Sequence, residues 1–131
     1  MKIDHIAIWV ADIEVMRSFY MKYFGATCGQ LYINQKKGFS SYFLSFQGET
    51  RIEIMKRNDI SEYQHDRDSS LGLTHLAISA ENKQEVDYLT ETLRQDGYKV
   101  IGEPRITGDG YYESVILDPE GNQIEITEQI I

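Results

Sequence analysis

The sequence predicts an α+β fold of two tandem modules, each a strand, a helix and three further strands (βαβββ), whose curled mixed sheets leave an inner face. Three observations carry this reading. The pattern IDHIAIW at residues 3–9 is written again as LTHLAIS at residues 73–79, with a histidine third in each copy. Each copy is followed by one amphipathic helix and then by hairpin patterns. The strands that close the two halves, RIEI from residue 51 and QIEI from residue 123, also match each other. A repeat of about half the chain governs the fold. Antiparallel hairpins with a single helix per half argue against a doubly wound parallel sheet.

In chain order, a first strand is expected over about 2–10. Asp12 then reads as an N-cap, and residues 13–24 place Ile13, Met16, Phe19, Tyr20, Tyr23 and Phe24 at helical spacing before Gly25 ends the helix. GQLYIN at 29–34 is the second strand expected, and SSYFLSF at 40–46 the third. The turn QGET leads into RIEIM at 51–55, completing a hairpin. Residues 58–70 are polar and without a clear period, so they read as a linker between module one (about 1–57) and module two (about 71–131) of a single domain. His65 in the linker reads as solvent-exposed. In module two, Asn82 and Glu85 mark a helix start, Val86, Leu89 and Leu93 form its apolar stripe, and Gly97 ends it. A strand at 98–103 is expected to break at Pro104. YYESVIL at 111–117, the tight turn DPEGN at 118–122 and QIEIT at 123–127 complete the chain.

With 131 residues the chain is long enough to bury a core, and 41% hydrophobic with 26% charged residues is ordinary for a soluble globular protein. A net charge of −8 argues against a nucleic-acid partner, which demands a basic surface. No stretch approaches the roughly 20 apolar residues of a membrane span, and the apolar run after Asp4 is too short for a signal peptide. A lone cysteine, Cys28, permits no intrachain disulfide and is read as an incidental thiol. These features point to a cytoplasmic protein with neither nucleic-acid nor membrane partner.

Side chains alternate across a strand. His5, Ala7 and Trp9 therefore share one face of the first strand, and His75, Ala77 and Ser79 one face of its repeat. Glu53 lies between Ile52 and Ile54, and Glu125 between Ile124 and Ile126, so each glutamate points away from its isoleucines. Two readings of this quartet stand. Imidazoles and carboxylates converging in a cavity suit zinc, nickel, cobalt or iron with positions left for water or substrate. Alternatively, duplication repeats structural histidines and outward-facing glutamates without any site.

These residues resemble the vicinal oxygen chelate superfamily, which includes glyoxalase I, fosfomycin-resistance proteins, extradiol dioxygenases, methylmalonyl-CoA epimerase and bleomycin-binding proteins. The resemblance covers nearly the whole chain. It rests on HIAIWVADIEVMRSFY with its downstream FG, on RIEIM, on GLTHLAIS and on LDPEGNQIEI. The fold implied is two βαβββ modules curled around a metal site. The order His5, Glu53, His75, Glu125 is similar to bacterial glyoxalase I, and the resemblance makes these four the ligands of one divalent metal ion, nickel, zinc or cobalt. The activity implied is that of a lactoylglutathione lyase: isomerisation of the hemithioacetal of methylglyoxal and a thiol such as glutathione through an enediolate. Glu125 is then the catalytic base, with Glu53 as second choice. The resemblance also implies a homodimer. No organic cofactor is implied. Two departures stand out. Trp9 occupies the place of an arginine that contacts a glutathione carboxylate in many glyoxalases, and ITGDGYYE from residue 106 replaces a glycine-rich loop. Trp9 and Arg51 are the candidate substrate residues, with Lys56 and Arg57 as further cations near the site. The alternatives are another metal-dependent enzyme of the superfamily (an epimerase, thiol transferase or dioxygenase) or a non-catalytic small-molecule-binding module.

Overall fold

A computed structural model describes residues 1–62 and 65–131. The chain divides into two compact units, Met1–Tyr63 and Gln64–Ile131. Each contains one mixed sheet, left open, and one helix. The linker expected over 58–70 straddles the division; its positions 63 and 64 lie outside the described residues, and the rest of it forms bends and turns. Among the described residues no helix is long and apolar enough to cross a membrane.

The first unit runs β1 (His5–Trp9), α1 (Ile13–Phe24), β2 (Thr27–Cys28), β3 (Tyr32–Asn34), a 3-10 turn, β4 (Phe39–Ser45) and β5 (Arg51–Arg57). Its sheet has the order β1-β5-β4-β2, with β3 also on β4. The helix begins where the sequence places it. Asp12 is extended and its Oδ1 accepts the amides of Glu14 and Val15 at 3.1 and 3.0 Å, two donors that the first turn leaves without helical partners. It ends at Gly25, whose φ of 65° is left-handed, a conformation glycine adopts without a Cβ penalty. Ile13, Met16, Phe19, Tyr20 and Tyr23 are buried. Tyr42 ties α1 to the sheet by donating its hydroxyl to Glu14 Oε1 at 2.7 Å; this hydrogen bond and burial raise the phenol's pKa. The expected strand at 29–34 is instead two short strands on either side of residues 29–31, each paired separately with β4. Gly29 and Gln30 interrupt the run.

The second unit runs β6 (His75–Ser79), α2 (Lys83–Gln95), β7 (Val100–Ile106), β8 (Tyr111–Leu117) and β9 (Gln123–Gln129), with sheet order β6-β9-β8-β7. Asn82 caps α2, its Oδ1 accepting the Glu85 amide at 2.9 Å, while the Glu85 carboxylate reaches back to the Glu81 amide. The expected break at Pro104 does not occur: β7 continues through it. The reason is position, since β7 is an edge strand where a missing N–H donor is tolerated, and the ladder to β8 shifts register on both sides of Gly102.

In both units the first strand pairs in parallel with the last, so the chain folds back on itself around the helix. Ala7 lies opposite Glu53 and Ala77 opposite Glu125. The buried faces carry Leu44, Ile52 and Ile54 in one unit and Ile116, Ile124 and Ile126 in the other.

Candidate metal centre

Alternation sets His5, Glu53, His75 and Glu125 each on the face opposite the apolar side chains next to it in its strand. On β5, Ile52 and Ile54 go into the core and Glu53 projects from the other face; on β9, Ile124 and Ile126 do the same for Glu125. The first strands deliver the histidines to those faces. His5 Nε2 lies 3.6 Å from Glu53 Oε1, and His75 Nε2 lies 3.2 Å from Glu125 Oε2. Each unit thus brings together one histidine–glutamate pair. The glutamate side chains are only 15% and 18% exposed, the imidazoles 37% and 39%, so each pair is open at the ring and withdrawn at the carboxylate. Among the described residues no group of three or more His, Cys, Asp or Glu side chains is placed to hold a metal ion.

The turn before β9 sets the position of Glu125. The Asp118 carboxylate accepts the amides of Glu120 and Asn122, each at 2.9 Å, and the Asn122 side-chain amide at the same distance. Pro119 fits the following position, and Gly121 takes a positive φ of 86°. This closed turn fixes the register that sets Val115 opposite Glu125.

Donor chemistry tests whether a cation fits. Asp4 Oδ2 lies 2.8 Å from His5 Nδ1 and also accepts Arg51 Nη2 at 2.8 Å. These two hydrogen bonds hold the Asp4 carboxyl below its usual pKa, His5 contributing most. An ionised Asp4 only accepts, so the proton in that contact belongs to Nδ1. A neutral His5 ring then turns a lone pair, at Nε2, toward the Glu53 oxygen. Two electron-pair donors face one another, and a cation between them satisfies both. Ligands about 2.1 Å from one ion at angles of roughly 90–120° stand about 3.0–3.6 Å apart; both pairs lie in that range. Each pair therefore has the donor chemistry and spacing of two ligands of a divalent ion.

The other predicted residues are placed as follows. Trp9 is on the same face as His5, edge-on to Phe39 at 6.0 Å, with the Arg57 guanidinium 4.9 Å from its ring; Phe39 in turn meets Tyr32 at 6.1 Å. Arg51 is engaged by Asp4 and lies 4.4 Å over the Phe43 ring. Lys56 and His65 are exposed, and Cys28 is half-buried. Two acidic residues were not singled out by sequence. One is Asp4, whose role depends on a contact that spacing does not encode. The other is Glu113, on the face of β8 that carries Val115 and hence beside Glu125. It is buried, approached by Arg105 Nη2 at 3.4 Å, and desolvation, reinforced by the charge of Glu125, raises its pKa. Its period-two offset from Val115 was the available signal.

A parallel pairing of first with last strand, repeated in two βαβββ units that each carry a histidine–glutamate pair, defines a vicinal oxygen chelate protein. The chain belongs to the Glyoxalase/Bleomycin resistance protein/Dioxygenase superfamily, whose model matches residues 2–126. The superfamily includes enzymes such as glyoxalase I and is commonly metal-dependent. Among its relatives are two Bacillus subtilis (strain 168) proteins, the uncharacterized proteins YqjT and YwkD, each 29% identical over 129 residues; the YqjT match takes in 93% of this chain and 94% of YqjT, the YwkD match 97% and 96%. A possible glyoxalase from Bacillus cereus is 26% identical, with a TM-score of 0.71 over 98% of this chain and 99% of that one. Glyoxalase I from Zea mays has a TM-score of 0.79 at 21% identity, a likeness of fold; this chain, 99% covered, spans 45% of the maize chain.

Proposed function

We propose that the protein is a metal-dependent glyoxalase I-like lyase that isomerises the hemithioacetal of a 2-oxoaldehyde such as methylglyoxal and a thiol such as glutathione. The observation that carries this reading is the pairing of His5 with Glu53 and His75 with Glu125 in a chain of this superfamily. Each pair would supply two of the ligands of a divalent ion, nickel, zinc or cobalt. The bound ion would supply Lewis-acid stabilisation of the negative charge that develops on the substrate's adjacent oxygens. Glu125 removes the proton from C1 and returns it to C2 of the enediolate, with Glu53 next in line for the role. Their limited exposure shields this proton from exchange with bulk water. Trp9 offers the substrate a flat apolar surface.

The test is turnover after metal removal. The protein is stripped with chelator, loaded singly with nickel, cobalt or zinc, and assayed on the methylglyoxal–glutathione hemithioacetal. Activity should return with metal, and Glu125→Gln should lower kcat by about 10²–10⁴-fold while still binding the ion. A chain that binds no metal refutes the reading. Metal binding without turnover favours the second reading, a different metal-dependent enzyme or a binding module. The aromatic run Trp9–Phe39–Tyr32 supports that reading as a platform for an apolar ligand. The proposal includes a homodimer, checked by light scattering for a mass twice 15.2 kDa.

A further inference from the structure

The two histidine–glutamate pairs are related by the repeat, yet their surroundings differ in a consistent way. Beside His5, three side chains converge. Asp4 Oδ2 is 2.8 Å from Nδ1, and Arg51 Nη2 donates to that same oxygen at 2.8 Å. The Phe43 ring meets the imidazole edge-on at 5.2 Å and 83° and also lies 4.4 Å beneath the Arg51 guanidinium. The backbone joins the same residues, the Arg51 amide donating to the Asp4 carbonyl at 3.0 Å. In the second unit each of these positions has changed. Thr74 precedes His75 where Asp4 precedes His5. Gln123 is the register partner of His75 where Arg51 is that of His5, and Val115 faces Glu125 where Phe43 faces Glu53. Gln123 does not turn to the histidine's neighbour; its Nε2 donates to Asp68 at 2.7 Å.

We infer that Asp4 and Arg51 are positioning residues: they form a clamp, without a counterpart among the described residues of the second unit, that holds His5 as its Nδ1–H tautomer with the Nε2 lone pair directed at Glu53. The inference rests on the metal reading for its purpose, because a histidine that ligates through Nε2 is oriented by whatever accepts from its other nitrogen. It changes the expectation for Arg51. That residue acts on the anion of Asp4 within the protein rather than on a substrate carboxylate. It also makes the two half-sites unequal: His5 is preorganised by Asp4, whereas Thr74 stands before His75.

The test reads the ring before it reads the metal. On metal-free protein labelled with ¹⁵N at histidine, long-range ¹H–¹⁵N correlation at a pH where the rings are neutral reports which nitrogen carries the proton. Wild type should show His5 as Nδ1–H. Asp4→Ala should move His5 toward Nε2–H and leave His75 unchanged, while Asp4→Asn, which keeps an acceptor oxygen, should hold the wild-type tautomer. Arg51→Gln should give an intermediate result. Cobalt(II) titration followed by calorimetry should then show affinity falling by about 10–100-fold in Asp4→Ala, with partial recovery in Asp4→Asn. An Nε2–H tautomer at His5 in the wild type overturns the clamp, as does an Asp4→Ala protein with unchanged tautomer and cobalt affinity within twofold. Wild-type protein that shows the predicted tautomers but takes up no cobalt refutes the metal reading and upholds the clamp. Asp4 is exposed, so its variants are expected to fold.

Discussion

Thr90 carries a prediction that can be worked through from geometry. It lies on the buried side of α2 and is 1% exposed, as buried as the isoleucines around it. Its hydroxyl donates to the Val86 carbonyl at 2.6 Å, so it has no proton left for Ser114 Oγ, which is 2.7 Å away and fully buried. Ser114 is therefore the donor in that contact, and the chain runs from Ser114 to Thr90 to Val86. Thr90→Val keeps the shape and removes the acceptor, leaving the Ser114 hydroxyl buried and unpaired at a cost of about 2 kcal/mol. Ser114→Ala removes only the outer donor, and Thr90 keeps its bond to Val86; about 1 kcal/mol is expected. In the double variant no buried hydroxyl is stranded, so it should be more stable than Thr90→Val alone by about 1 kcal/mol. Cooperative unfolding of 131 residues has an entropy near 0.28 kcal/mol/K, so Thr90→Val should lower Tm by about 7 °C. Calorimetry and urea denaturation of the three variants check this. A Thr90→Val protein within about 0.5 kcal/mol of wild type, or a double variant less stable than it, would refute the hydroxyl chain.

Two further predictions concern stability. Glu113 has its pKa raised on folding, mainly by burial and then by Glu125. Between the unfolded and the raised folded value the folded chain holds more protons, so stability falls as pH rises through that window, and the full penalty remains above it. Glu113→Gln should therefore be more stable than wild type at pH 8 and lose that advantage below the ordinary carboxyl range; urea midpoints from pH 4 to 8 measure this, and a difference independent of pH counts against it. Asp12→Ala removes the acceptor of two helix-end amides and should cost about 1 kcal/mol, or about 4 °C in Tm, with Asp12→Asn largely neutral by the same thermal melt.

Much of the architecture was legible along the chain because it is written in short-range terms. The bounds of α1, the caps Asp12 and Asn82, and the stop at Gly25 depend on backbone groups within one turn. The opposed faces of Glu53 and Ile54, or of Glu125 and Ile126, follow from a period of two. The histidine–glutamate spacing, repeated, was enough to nominate the pairs. What depends on pairing between strands was not legible. The run at 29–34 is strand only over β3, because β2 forms before it and the two meet β4 at separate places, and β7 passes through Pro104 because it ended up on a sheet edge. Packing chose Thr90 over Leu89 for the buried side of α2, since Ser114 on β8 supplies the hydroxyl that makes a buried threonine tolerable. The same holds at the site. His5 and Asp4 are adjacent in sequence, but that Asp4 turns to Nδ1, and that Arg51 joins it, depends on β1 lying parallel to β5 in a register that sets His5 against Arg51. A chain encodes its periodicities one residue at a time, whereas the partners of a side chain belong to segments some fifty residues apart, and only their packing brings them within a hydrogen bond.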